Sequence, residues 1–226
     1  MLYEYCAENF TNLDAALRAG AGRIELCDNL SVGGTTPSVG VIEQAVAIVR
    51  KHEGAQVRAI IRPRKGNFVY SKAEFKAMET DIRVAAANGI DGVVFGCLKR
   101  RQGVKGAFDL DVEGLERLMK VVRSVGEMRG RELGVTYHMA FDALDAQAQL
   151  DAIDILAEAG VDHVLTHGGE AGTPIEDNFG QLRACIEHAA GRLVILPGGG
   201  ISFNNRESVA QELGVDELHG TKIVKL

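Results

Sequence analysis

The stretch Ala159-Gly160-Val161-Asp162-His163-Val164 recurs in form three times elsewhere, as Ala19-Gly20-Ala21-Gly22-Arg23-Ile24, Asn88-Gly89-Ile90-Asp91-Gly92-Val93 and Leu213-Gly214-Val215-Asp216-Glu217-Leu218. In each, a glycine supplies the left-handed residue that stops a helix, an apolar residue packs beneath a sheet, and a strand begins. Outward from these junctions the chain alternates short apolar strands with amphipathic helices. Strands are predicted at Leu2–Ala7, Arg23–Cys27, Gln56–Arg62, Gly92–Cys97, Gly134–Phe141, His163–Thr166, Leu193–Leu196 and Glu217–His219. Helices are predicted near Asn12–Ala19, Pro37–His52, Lys72–Asn88, Val112–Met128, Ala146–Ala159, Glu176–Ala190 and Phe203–Leu213. The junctions precede the second, fourth, sixth and eighth strands, one for every two strand–helix units. That recurrence points to an α/β chain folded as a TIM-like (β/α)8 barrel rather than a doubly wound open sheet. No linker or change of composition interrupts it, so residues 1–226 read as a single domain. The eighth helix is expected to be lacking or short, because the sequence runs only to Leu226 after the last strand.

With 226 residues, 46% hydrophobic and 25% charged, the chain can bury a large core. Its formal charge is −6, and no basic run is long enough to follow a phosphate backbone, which argues against nucleic acid as a partner. The opening MLYEYCAENF has neither a basic segment nor an apolar one of the kind that directs export, and no apolar run approaches the roughly 20 residues a bilayer requires. Cys6, Cys27, Cys97 and Cys185 form no CxxC pair. They read as reduced thiols, and the expected compartment is the cytoplasm.

In a barrel of this type the chemistry lies where the strands end. Glu4 and Cys6 mark the first strand, and Glu25 and Cys27 share one face of the second. The second opens into the loop Gly33-Gly34-Thr35-Thr36, with Thr36 expected as a helix N-cap and Pro37 at the first helical position. The third strand ends in Arg62-Pro63-Arg64, two arginines expected on one face. The fifth carries Thr136, His138 and Asp142. Thr166-His167-Gly168 closes the sixth, Pro197-Gly198-Gly199-Gly200 the seventh and His219-Gly220 the eighth.

These segments, YEYCAEN, RIELC with GGTTPS, IIRPRKGNFVYS, DGVVFGCL, HMAFDAL, LPGGGI and LHG, together resemble the CutC family of copper homeostasis proteins, in order and over essentially the whole chain. The resemblance implies a cytoplasmic TIM-like barrel, usually a homo-oligomer (dimer or tetramer), linked to the control of copper. It implies Cu(I) as the bound metal, with Cys6 and Cys27 as the ligands. Met139 stands where the family often has an arginine, His167 where a serine is common, and the C-terminus is shorter than in longer members.

Read as residues, these positions support two classes of function. Cys6 and Cys27, expected in register at the ends of neighbouring strands about 4.8 Å apart, offer two thiolates to one soft ion. Such ligands select Cu(I), whereas zinc normally takes more. The competing reading is two buried cysteines acting as small hydrophobes, the role expected of Cys97 and Cys185; Met139 reads as a core methionine. The alternative class is an enzyme acting on a small anionic or phosphorylated metabolite. There Arg62, Arg64, Gly198, Gly199 and Gly200 grip the anion while His138, Glu25 and Asp142 move protons. Against it stand an internal ion-pair network joining the two arginines to Glu4, Glu25 and Asp142, a hydrogen-bonded core histidine, and a tight glycine turn capped by Ser202. There is no nucleophile elbow.

Overall fold

Period-two alternation in β2 (Arg23–Cys27) sends Ile24 and Leu26 outward into the main apolar layer, and Arg23, Glu25 and Cys27 inward. The same rule repeated around a ring of strands builds the molecule. The structure, a computed structural model, describes residues 1–226. Its elements are β1 (Leu2–Glu8), α1 (Leu13–Arg18), β2, α2 (Val39–Val49), β3 (Gln56–Ile60), α3 (Lys72–Ala87), β4 (Gly92–Phe95), β5 (Leu98–Arg100), β6 (Phe108–Leu110), α4 (Val112–Arg129), β7 (Gly134–Tyr137), α5 (Ala146–Ala159), β8 (His163–Thr166), α6 (Phe179–Ala189), β9 (Val194–Pro197), α7 (Arg206–Leu213) and β10 (Glu217–Gly220). Eight parallel strands run in the order β10-β1-β2-β3-β4-β7-β8-β9. No ladder joins β9 to β10. That seam is closed above the strands, where Ser202 bridges Lys222 and the Phe203 amide donates to the Lys222 carbonyl at 2.8 Å. The barrel is therefore nearly closed, with seven helices and no eighth. No helix is long and apolar enough to cross a membrane.

The junctions behave as their sequences require. Gly20, Gly89, Gly160 and Gly214 all have φ between 66° and 100°, which is why glycine recurs there. The aspartates that follow two of them have a further role: Asp91 accepts from the Val57 amide at 2.9 Å, and Asp162 from the Val135 amide at 2.6 Å. Each thus ties the start of one strand to the foot of the strand before it. The helix starts are set by side chains, with Ser71 and Glu74 forming a capping box on α3 and Asp145 accepting from the Ala148 amide on α5.

Several local expectations are corrected. Helix α2 is capped by Ser38, not Thr36, because the Thr36 hydroxyl is taken by the Arg62 amide at 2.9 Å. Helix α7 starts at Arg206, so Ser202 does not cap it; its backbone amide bonds the Asn205 carboxamide oxygen instead. The segment between β4 and α4 adds an antiparallel hairpin, β5 with β6, outside the eight strands expected from the sequence. Strand β7 ends at Tyr137, and His138, Met139 and Asp142 lie at or within a short 3-10 turn, Met139–Ala143.

The barrel floor is polar. Arg23, the first residue of β2, bonds both Glu4 and Glu217, the latter at 2.8 Å. His163 lies 3.1 Å from Glu217 and 2.9 Å from Arg58, which also donates to Thr136 at 2.6 Å. Room for the Arg58 side chain comes from two glycines on neighbouring strands: a Cβ at Gly92 would lie 2.9 Å from it, and one at Gly134 3.0 Å. The internal network expected from the sequence thus exists, but its arginines are Arg23 and Arg58, not Arg62 and Arg64.

Such a network is costly to break on one side. Glu4→Gln keeps the shape but removes the one carboxylate that bonds both Arg23 and His219, leaving Arg23 with the Glu217 carboxylate alone. We expect it to lower the unfolding free energy in urea by about 3–5 kcal/mol; a loss below about 1 kcal/mol would show a pair no more valuable than a surface one. Burial raises the Glu217 pKa, but its bond to His163 and the Arg23 charge outweigh this and bring it from 4.5 to about 2. A depressed folded-state pKa stabilises fully above 4.5, and that stability is lost as the pH falls towards 2. The unfolding free energy should decline over that window, and Glu217→Gln should make the decline shallower. An unchanged slope would remove Glu217 from the account.

Candidate functional site

Above the floor, the inward residues at the mouth of β1, β2 and β10 bring together two thiols, two carboxylates and an imidazole. The sulfurs of Cys6 and Cys27 and a carboxylate oxygen of Glu25 all lie within 4.8 Å of one another, and all three residues are buried. The two cysteines are not in register. Cys6 stands opposite Glu25, while Cys27 stands opposite Glu8, two residues further along. The stagger that a tilted barrel imposes on its strands makes the thiols diagonal neighbours and sets Glu25 beside both. His219 reaches the cluster from β10, with Nδ1 2.8 Å from Glu4 and Nε2 3.6 Å from Glu25.

The electrostatics follow from burial and these neighbours. Burial disfavours a charge on His219, but Glu25, Cys6 and Glu4 outweigh it and hold the imidazole protonated, well above the usual range. Burial would also raise Glu4, yet the Arg23 charge and the His219 bond keep that carboxylate ionised, far below the usual range. Glu25 is raised, chiefly by burial, with His219 pulling the other way. The Cys27 thiol and burial push Cys6 well above 9. Cys6 lowers the pKa of Cys27, but burial and the Glu25 carboxylate lift it to about 11. Both thiols therefore hold their protons at neutral pH, and a thiophilic ion must displace them.

The thiols open onto a cavity of about 250 Å³ whose wall also includes Arg62, Phe68, His138, Met139, Leu165, Gly199 and Gly200. Met139 is half-buried on this wall rather than in the core. Cys97 and Cys185 are core residues, as expected. The two arginines part company. Arg62 turns inward and donates to the carbonyls of Val32, Gly34 and Gly66. Arg64 turns outward, pairing with Glu74 and bonding the Val69 carbonyl, so it has no place on the cavity wall. The expected proton-moving set is not assembled either. Asp142 accepts from the Thr166 hydroxyl and the His167 amide, away from His138. Burial and the Arg62 charge push His138 down to about 3, so the ring is neutral near pH 7. Gly199 and Gly200 lie on the cavity wall, and His167 is a structural residue that bonds the Gly198 carbonyl and Thr173. Sequence reasoning missed Arg23, Arg58, His163 and Glu217. The signal was present in the period-two rule, which places Arg23 on the face of Glu25 and Cys27.

Comparison with known proteins fits this arrangement. The family model for the CutC family matches residues 1–224. This chain belongs to the CutC family. It is 52% identical over 224 residues to the family protein CutC of Enterococcus faecalis, covering 99% of this chain and 100% of that one. It is 36% identical over 222 residues to the human copper homeostasis protein cutC homolog, covering 96% of this chain and 72% of the human one. The crystal structure of CutC from Streptococcus agalactiae superposes with a TM-score of 0.88 at 39% identity, covering 99% and 100% of the two chains.

The thiols of this CutC protein carry a direct test. Two pKa units separate Cys27 at about 11 from its ordinary 9.0, a hundredfold less thiolate at neutral pH. In the metal-free protein at pH 7.5, iodoacetamide should label Cys6 and Cys27 at least about a hundredfold more slowly than after urea unfolding. Comparable rates in the two states would mean that the thiols are neither buried nor held protonated.

Proposed function

We propose that this CutC protein binds Cu(I) at the barrel mouth through Cys6 and Cys27, and that it acts in copper homeostasis in the cytoplasm. The observation that carries this reading is the placement of two sulfurs within 4.8 Å of each other, a span that roughly two metal–sulfur bonds of about 2.3 Å cover. The donor set suits the ion. Two sulfurs favour a soft monovalent metal over zinc, which would want further nitrogen or sulfur ligands; the nitrogen beside them, on His219, is held protonated by its acidic neighbours. His219, held as a cation beside Cys6, favours the thiolate form and lowers that thiol's pKa, partly offsetting the neighbours that raise it. Glu25, at the same distance, can take up a displaced proton because burial has already raised its pKa. The free state of all four cysteines accords with a reducing compartment.

Copper that displaces two thiol protons binds more tightly as the pH rises below the thiol pKa values, by about tenfold per pH unit where Glu25 keeps one proton and about a hundredfold where both leave. Titration of the reduced protein against a chromophoric Cu(I) chelator should show one ion per chain and this pH dependence. Cys6→Ser and Cys27→Ser should each abolish the high-affinity phase. Binding that persists in both variants, or that is independent of pH, would assign copper to some other part of the chain.

A further inference from the structure

The copper reading leaves the arginine side of the cavity unused, and that side is electrostatically unbalanced. Arg62 is 4% exposed, yet no carboxylate accepts from it; its bonds go to three backbone carbonyls, and its Nε has no partner. A buried guanidinium with only neutral acceptors is costly, and its remaining N–H groups match an oxyanion. Arg58, the other buried arginine without a bonded carboxylate, differs because the charges of Glu4 and Glu217 reach it within the floor network.

His138 stands beside Arg62. Phe68 is packed against both, its ring centroid 5.1 Å from the Arg62 guanidinium carbon and 4.9 Å from the His138 ring. The His138 Nδ1 accepts from the Ala140 amide at 3.1 Å. The ring is neutral, so its single proton is on Nε2, and that buried N–H has no partner. Further round the same wall, the backbone amides of Gly199 and Gly200 bond no group in the protein. Glycine is required at Gly199, where φ is 83° and a Cβ would lie 2.8 Å from the His167 ring. This side of the wall thus offers the Arg62 cation, one neutral N–H and two free amides, while the Glu25 carboxylate and the protonated His219 lie on the thiol side of the same cavity.

We propose that this cavity holds a small organic oxyanion, its acid group neutralising Arg62 and accepting from His138 Nε2, and a further oxygen meeting the amides of Gly199 and Gly200. The ligand class is a phosphorylated or carboxylated metabolite. At about 30 Å³ per water, the cavity of about 250 Å³ has the volume of on the order of eight waters, enough for a compound of a few carbons. The subsite uses neither cysteine and stands whether or not copper binds.

The test is an amide and imidazole NMR titration of the metal-free, reduced protein with inorganic phosphate and, separately, acetate, each against sodium chloride at matched ionic strength. The expected result is saturable movement of the Gly199, Gly200 and His138 signals with one of the two anions and not with chloride. Stronger binding of phosphate assigns a phosphoryl group, and stronger binding of acetate a carboxylate. His138→Phe keeps a ring against Phe68, removes the N–H and should weaken the anion about tenfold, the loss of one charge-assisted bond. Arg62→Gln should abolish binding; because Arg62 also secures its loops, His138→Phe is the decisive variant. The double variant Cys6→Ser with Cys27→Ser should bind the anion as the wild type does, so failure of the copper site and failure of this one are read separately. Signals that move equally with chloride, or anion affinity unchanged in His138→Phe, would overturn the proposal.

Discussion

The buried pair of Arg23 and Glu4 is the interaction on which the rest of the molecule depends. It joins the first residue of β2 to the middle of β1, and each partner extends it, Arg23 to Glu217 and Glu4 to His219. Neither charge reaches water, so each must be satisfied inside the barrel. Those requirements fix which residues of β1, β2 and β10 face inward. With the inward face set, Cys6, Glu25 and Cys27 have one place to go. The ionised Glu4 also supports the cationic form of His219, which acts in turn on Cys6 and Glu25. A chain of charge therefore runs from the floor to the thiols, and the electrostatics of the mouth are inherited from below.

The fold was legible because it rests on local rules repeated many times. Glycine at each junction and period-two alternation in β2 suffice to identify a barrel, and the eight barrel strands fall where those rules put them, the β5–β6 hairpin aside. Errors came where a side chain answers to a distant partner. Thr36 has the character of a cap but serves the Arg62 amide, so α2 begins two residues past Pro37. His138 follows the strand pattern through Tyr137, then leaves it for a turn. Arg62 and Arg64 have the spacing of a shared face, but that spacing holds only in a strand, and β3 has ended at Ile60.

The candidate site was legible in its members and not in its geometry. Cys6, Glu25, Cys27 and His219 could be collected from strand ends, because a barrel converges those ends on one mouth. Their mutual placement depends on the stagger between β1 and β2, a property of the closed ring that no single strand encodes. The same limit applies to the surroundings of His138: the sequence placed it with Glu25 and Asp142, but the structure separates it from Asp142. Its charge state is set by burial and by the charge on Arg62, which comes from a loop far away in sequence.

The absent ladder between β9 and β10 gives the wall a weak line. Elsewhere in the ring every strand is held by two neighbours; here the two meet without a ladder, and the joint relies on the Ser202–Lys222 bridge at its upper end. Gly199 and Gly200 follow one side of that line, and His219 lies on the other. Local opening in a protein takes the route with the fewest bonds to break, which in this barrel passes beside the cavity. The wall of the cavity is thus weakest where the ring is incompletely closed.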